Sequence, residues 1–300
     1  MAGAAVALCK TRLGRAAART GPAKSAVRPE LAAVSGKDAG RMFARAVDLL
    51  GGAEKFVSPG DRVVIKPNAS FANPANWGNN TNPEVLAAAC EFFIKAGARK
   101  VVVVDYPLMG GAKAPQANGL AAICRGLSGV ELSVLSARHQ FRKLSVPGGE
   151  TLKTVEVSRE VLDADLLVNL PVAKAHDAVA ASIGLKNLMG IIWDRAAFHT
   201  MLEINRAIAE LSLAVRPQLT VVDMTRVMVT NGPKGPGEVA TPNLLVASSD
   251  PIAADAYSLT KARFNGRRFR PKQIRYLRYA HQAGLGEIDL SAVDIREDRV

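Results

Sequence analysis

Residues 59–68 read PGDRVVIKPN and residues 81–105 read TNPEVLAAACEFFIKAGARKVVVVD. These two pieces decide the fold. A Pro-Gly-Asp turn opens the first, and the short apolar strand Val63–Lys66 follows it into a loop, 67–82, rich in Asn, Gly and Pro. In the second, Thr81 or Asn82 can cap a helix, Pro83 suits its first position, and Gly97 closes it. A run of valines then leads to Asp105. A continuous apolar strand is one buried on both faces, so strand, helix and strand in this order predict part of a parallel sheet.

The same alternation extends outward. Residues 38–50 have helical apolar spacing, stopped by Gly51 and Gly52. Residues 119–128 read as a short helix, VELSVL as a strand, and the region around Pro147-Gly148-Gly149 as a hairpin. A turn of helix leads into the strand Leu166–Leu170. Residues 199–214 read as one helix, LTVVD (219–223) and NLLVASSD (243–250) as strands, Pro251–Arg263 as a helix, and 271–283 as helical. There is no internal repeat. The predicted fold is α/β, a mostly parallel, doubly wound, Rossmann-like sheet with helices on both faces. The predicted organisation is a basic flexible leader, 1–30, and a single α/β domain, 31–300.

Composition narrows the classes. Of 300 residues, 48% are hydrophobic, enough to bury a core and not the signature of a disordered chain. Only 5% are aromatic, so Val, Leu, Ile and Ala build that core. The formal charge is +12, of which residues 1–30 carry +5: Lys10, Arg12, Arg15, Arg19, Lys24 and Arg28 against Glu30. A second basic cluster runs from Arg263 to Arg278. It is read as a solvated face rather than a nucleic-acid or membrane patch, because no known nucleic-acid module accompanies it.

The 3 cysteines, Cys9, Cys90 and Cys124, form no CxxC pair. So sparse and odd a count disfavours a disulfide framework, and it cannot supply the four ligands usual for an iron–sulfur cluster. Cys90 falls in an apolar helix pattern as a small core residue. No apolar run reaches the roughly 18–20 residues of a membrane span. The leader resembles a transit peptide in composition but has no long apolar region or paired-arginine motif, so a cytoplasmic chain is expected, with export as the alternative.

Ligands of open α/β sheets bind outside the carboxyl ends of the strands. The expected strands end there in Lys66 and Asn68, in Asp105, in Asn169 followed by Lys174 and His176, in Asp223, and in Ser248, Ser249 and Asp250. Asp250, just before Pro251, is expected as a helix cap. Lys66 continues a buried strand, and Lys186 lies between leucines in a Gly-bounded segment with Asn187 beside it. A buried lysine needs an anion. Asp105 and Asp223 are candidate partners within a structural network; a ligand bearing phosphate or carboxylate is the other. His176, near neutral in its unperturbed pKa, is a candidate acid or base. Alternatively it ligates a metal with His199 and an aspartate. The loop NGPKGPGE (231–238), with Gly232 and Gly235, is no Walker loop, and no GxGxxG follows the first strand.

In this order the motifs resemble the family called domain of unknown function 362. KPN at Lys66 to Asn68, N-x-P-x-x-K-x-H at Asn169 to His176, LKN-x-x-G at Leu185 to Gly190, Val222-Asp223, and the Gly-Pro loop from Gly232 to Gly235 carry the likeness, which covers roughly residues 38–262. The resemblance implies an α/β layout distantly similar to the amino-terminal domain of nickel-dependent lactate racemases. It also implies a redox setting, since many members are joined to ferredoxin-like iron–sulfur modules. This chain has no cluster cysteines, so an electron-transfer role would need an iron–sulfur or ferredoxin-like partner.

The expected function is binding of an anionic small molecule or cofactor, as a redox-linked enzyme. Lys66, Lys174 and Lys186 would grip the anion, Asn68, Asn169 and Asn187 orient it, His176 act as acid or base, and Asp105 and Asp223 tune the lysines or bind a metal. A non-catalytic binding or delivery protein and a basic nucleic-acid- or membrane-associated protein are the alternatives, with nucleic acid disfavoured. The cofactor's identity is left open.

Overall fold

Alternate residues of the central strands face two different cores. Val63, Ile65, Val101 and Val103 enter one, and Val64, Val102 and Val104 enter the other. That two-sided burial is why these runs are apolar throughout. In this computed structural model the described residues are 28–300. The reading of residues 1–30 as a leader therefore falls almost entirely outside them.

The strands are β1 (Glu30–Ser35), β2 (Arg62–Pro67), β3 (Lys100–Asp105), β4 (Val130–Val134), β5 (Phe141–Ser145), β6 (Thr154–Ser158), β7 (Leu166–Leu170), β8 (Val172–His176), β9 (Ala180–Ser182), β10 (Leu219–Met228), β11 (Val239–Ala240), β12 (Leu244–Ser248) and β13 (Asp294–Arg299). The main sheet runs β13-β1-β12-β10-β7-β2-β3-β4. Along that order only β12 opposes its neighbours, so the sheet is mostly parallel. β5 and β6 form the separate hairpin expected around Pro147.

Helices cover both faces. Ala39–Leu49, Pro83–Lys95 and Leu120–Gly126 supply Phe43, Leu86 and Leu120 to one core. Ile204–Ala214, Pro251–Thr260 and Arg275–Gln282 supply Ile208, Ile252 and Tyr276 to the other. The caps follow the sequence: Asn82 accepts the amide of Glu84, and Asp250 accepts those of Ile252 and Ala253. From β2 the chain winds outward through β3 to β4, then returns to place β7 on the other side of β2 and β10 beyond it. The order of winding thus reverses between β2 and β7, the position where a doubly wound sheet leaves a crevice.

The structure differs from the expected elements in four places. Residues 199–214 are not one helix: Arg195–Thr200 ends before Met201, and Glu203 caps a second helix by accepting the amides of Asn205 and Arg206. The stretch after β7, which carries Lys174 and His176, continues as a further strand, β8, paired with β10 and with β9. LTVVD is the first half of a ten-residue strand. The edge strands β1 and β13 went unread, because ELAAVS is short and DIREDR is polar.

Candidate functional site

The crevice holds a cavity of about 580 Å3, within the ordinary range for a small-molecule site. It opens beyond the carboxyl ends of β2, β3 and β8. Asn68 and Tyr106 come from the first residues after β2 and β3, and Lys174 and His176 from β8. The short helix Gly184–Asn187 adds Lys186 and Asn187. Trp193, Arg195 and His199 close another side.

Beneath the cavity lies the ion pair Lys66–Asp105, with Nζ to Oδ1 at 3.0 Å and both side chains buried. Burial pulls the Lys66 ammonium down from its usual pKa, and Asp105 opposes that pull. Asp105 also accepts the amides of Ala69 (2.6 Å) and Tyr106 (2.8 Å), so it ties the loops after β2 and β3 together. Gly190 rests directly on the pair. A Cβ there would meet Asp105 Oδ1 at 2.3 Å and Lys66 Cε at 2.6 Å.

A directed chain of side-chain amides links this floor to the cavity. It starts at the Gly184 carbonyl, which can only accept, and takes a hydrogen bond from Asn169 Nδ2 at 2.9 Å. Asn169 Oδ1 then accepts from Asn187 Nδ2 at 2.8 Å, and Asn187 Oδ1 accepts from Asn68 Nδ2 at 2.9 Å. The amide of Asn68 is thereby oriented, and its Oδ1 accepts from Lys174 Nζ at 2.8 Å. Asp255, buried in the helix Pro251–Thr260, anchors the far end by accepting the amides of Gly184 (2.7 Å) and Leu185 (3.0 Å). Sequence reading missed Asp255 because its position looks like an ordinary helix interior.

Lys174 and Lys186 differ from Lys66. Neither forms an ion pair among the described residues. Lys174 Nζ donates to Asn68 and to the Asn79 carbonyl at 2.6 Å, and lies 5.0 Å from the centre of the Phe71 ring. Burial pushes its pKa well down, Asp105 opposes, and the charges of Lys66 and Lys186 push it further. Among the described residues Lys186 Nζ has only Met189 Sδ as a hydrogen-bond partner, at 3.3 Å, and burial lowers its pKa to about 8 against the pull of the Asp177 charge. The His176 imidazole is pushed down to about 3, chiefly by burial and then by Lys186, so it is neutral at ordinary pH. Its Nδ1 lies 3.1 Å from the amide nitrogen of Ala178 and 2.9 Å from Asp177 Oδ1.

Aromatic rings and an arginine complete the cavity. Tyr106 and Trp193 stack at 5.6 Å with 6° between their planes. The Arg195 guanidinium lies 4.1 Å from the Tyr106 ring centre and donates to the carbonyls of Tyr106 and Pro107. Its remaining N–H groups carry no protein carboxylate among the described residues. Of the two cavity aspartates, Asp194 caps the helix Arg195–Thr200, and Asp177 is largely exposed.

The candidate residues therefore separate into those that line the cavity (Asn68, Lys174, His176, Lys186, Asn187) and those that do not. Lys66 and Asp105 lie beneath its floor, and Asn169 stands behind Asn187; none of these three lines the cavity. Asp223 does not tune the lysines. Its carboxylate takes the amides of Asn82 (2.7 Å) and Thr225 (2.9 Å) and the Thr225 hydroxyl (2.7 Å). Gly232 and Gly235 act through their backbone. A Cβ on Gly232 would meet the Ala175 carbonyl at 2.1 Å, so its absence lets this loop lie on β8 and bring Pro233 and Lys234 to the cavity rim. Arg195, Trp193 and Tyr106 were missed, for they lie in segments without a strand-end pattern.

Among the described residues no three His, Cys, Asp or Glu side chains gather as a metal site. The structure thus offers no ligand set around His176 and His199, and no step is assigned to a metal. Cys90 and Cys124 are buried in the core on the opposite face from Ile208 and Tyr276. The basic side chains of Arg263 to Arg278 are exposed, and two of them are paired, Lys272 with Asp289 and Arg275 with Glu203. Among the described residues no helix is long and apolar enough to cross a membrane.

Residues 63–260 match the family described as domain of unknown function (DUF362), and the chain belongs to that family. A thylakoid-associated protein of Synechocystis sp. is 30% identical over 214 residues, spanning 69% of this chain and 64% of its own length. The lactate racemase apoprotein of Thermoanaerobacterium thermosaccharolyticum superposes with a TM-score of 0.45 at 13% identity, over 76% of this chain and 57% of its own.

Proposed function

We propose that the chain binds a small anion bearing a carboxylate or phosphate in the cavity between β2 and β8. Lys186 and Arg195 are its cationic partners, and the Tyr106–Trp193 stack is a surface for the rest of the molecule. The observation that carries this reading is Lys186. It is 8% exposed, lines the cavity, and has a thioether as its only hydrogen-bond partner among the described residues. A buried ammonium without an anion is costly, and a bound anion removes that cost. His176 is neutral and lines the cavity, where it is the candidate acid or base. A redox-linked reaction would draw its electrons from a partner such as an iron–sulfur protein.

Native mass spectrometry of protein from its own host tests this directly. The expected result is a co-purifying anion that Lys186→Met and Arg195→Met each release. Retention of the same bound mass by both variants would overturn the reading. His176→Ala separates the enzyme from the carrier: loss of turnover with affinity kept marks a catalytic histidine.

A further inference from the structure

Lys174 is placed as a different kind of lysine from Lys186. A neutral amine has two N–H donors and one lone pair, whereas an ammonium has three donors. Two oxygens, and no carboxylate among the described residues, receive hydrogen bonds from Lys174: Asn68 Oδ1 at 2.8 Å and the Asn79 carbonyl at 2.6 Å. Neither oxygen can donate in return. Asn79 offers a backbone carbonyl, and the amide chain from Gly184 holds Asn68 with its oxygen toward the lysine. Both N–H groups of a neutral amine are thus satisfied, and the lone pair remains. Burial disfavours a third proton most strongly, Asp105 opposes that effect, and the charges of Lys66 and Lys186 add to it, so the balance lies toward the neutral amine.

We infer that Lys174 is an amine nucleophile that forms an imine with a small 2-oxo acid bound in the cavity. This rests on the anion reading above, and it names the ligand class. The carboxylate of the 2-oxo acid takes Lys186 and Arg195, and its carbonyl carbon meets Lys174 Nζ. The lone pair forms the C–N bond as the carbonyl π bond breaks, and a nitrogen proton passes to the oxygen to give a carbinolamine. Loss of the C–O bond with the second nitrogen proton then releases one water and leaves the C=N bond. No oxidant or reductant enters this sequence. His176, neutral and lining the same cavity, is positioned to relay the protons. An uncharged amine attacks without first losing a proton, so its reactivity does not wait for alkaline pH.

The test uses the intact chain, glyoxylate as the smallest 2-oxo acid, and sodium cyanoborohydride to trap the imine as a carboxymethyl amine. The expected result is one carboxymethyl group, mapped by peptide mass spectrometry to Lys174, with a rate nearly level between about pH 6 and 7.5, below the titration of Lys186. Surface lysines, by contrast, react about tenfold faster per pH unit over that range. Lys174→Arg keeps a long basic side chain and is expected to lose the modification while its circular dichroism stays native. Lys186→Met is expected to keep the modified site but to need roughly tenfold more glyoxylate, the loss of one charge-assisted contact. Two failures are distinguishable. Calorimetric binding of glyoxylate with label spread over surface lysines and none at Lys174 overturns the imine and leaves the anion reading standing. Neither binding nor label at Lys174 overturns both.

Discussion

Lys66 and Lys186 are both buried lysines at the same end of the same sheet, and they are finished differently. Lys66 has Asp105 at 3.0 Å, and the rest of its surroundings are closed by Asn187 and the backbone under Gly190. Lys186 has Met189 Sδ and the cavity. The elsewhere-buried carboxylates resemble Lys66: Asp223, Asp250, Asp255 and Glu210 each accept at least two backbone amides. Folding therefore completes its buried charges wherever completion serves the fold. Among the described residues, the buried lysines left without a carboxylate are those that line the cavity, and the incompleteness is what a ligand would use.

Removing one partner of the closed pair is the severest test. Lys66→Met leaves the Asp105 carboxylate buried without its cation, which costs about 3–5 kcal/mol. Urea unfolding should show that loss. Lys186→Met removes an unpaired buried charge and is expected to change stability by less than about 1 kcal/mol, or to raise it. Equal losses in the two variants would break the comparison, because Lys186 would then have to be a structural charge.

Next comes the amide chain that joins the two regions. Asn187→Leu strands Asn68 Nδ2 and Asn169 Oδ1, both buried, and each unmet group costs about 1–3 kcal/mol. A stability loss of about 2–6 kcal/mol is expected by thermal or urea unfolding. If stability barely moves, the amides are not a connected network, and the orientation of Asn68 toward Lys174 loses its support.

Titration gives smaller effects of defined sign. The folded pKa of Lys186 is about 8 and the unfolded value 10.5, so the unfolded chain holds more protons between them. Stability from this group therefore rises as pH climbs from about 8 to 10.5, while affinity for an anion falls over the same climb as the ammonium is lost. His176 is depressed to about 3 from 6.5, and its contribution to stability is lost as pH falls through that window. Unfolding free energy and anion affinity, measured in parallel at pH 7 and pH 9.5, should move in opposite directions. Movement together would mean that Lys186 is not the anion's partner.

The sheet was legible because two-sided burial writes itself as apolar runs, as in KVVVVD, and because caps such as Asn82-Pro83 and Asp250-Pro251 mark the crossovers. The helix break at Met201 was not, since Glu203 caps by reaching its own following amides, a choice the apolar spacing does not record. β8 was hidden for a related reason. VAKAH is buried on both sides, so its lysine and histidine look like loop residues until β9 and β10 pair with it. Strand-end logic brought Asn68, Lys174, His176, Lys186 and Asn187 to one cavity. It could not rank depth: whether a strand-end lysine stops at the floor or reaches the cavity depends on which aspartate the neighbouring strand delivers. For Lys66 that aspartate is Asp105, one strand away; Asp223, equally polar in sequence, is turned to Asn82 and Thr225.

The smallest expected effect separates pairing from burial. Lys272 meets Asp289 at 3.5 Å, with both side chains at least half exposed. It is paired, as Lys66 is, but water already screens both charges. Lys272→Met is expected to cost less than about 1 kcal/mol, and less again in high salt. Lys66→Met should be nearly indifferent to salt, because its partner lies where counter-ions do not reach. Urea unfolding of the two variants at low and high ionic strength therefore reads burial directly. A Lys66 loss that shrank with salt as the Lys272 loss does would place the floor of the cavity in contact with solvent, and the distinction between a closed and an open lysine would then rest on pairing alone.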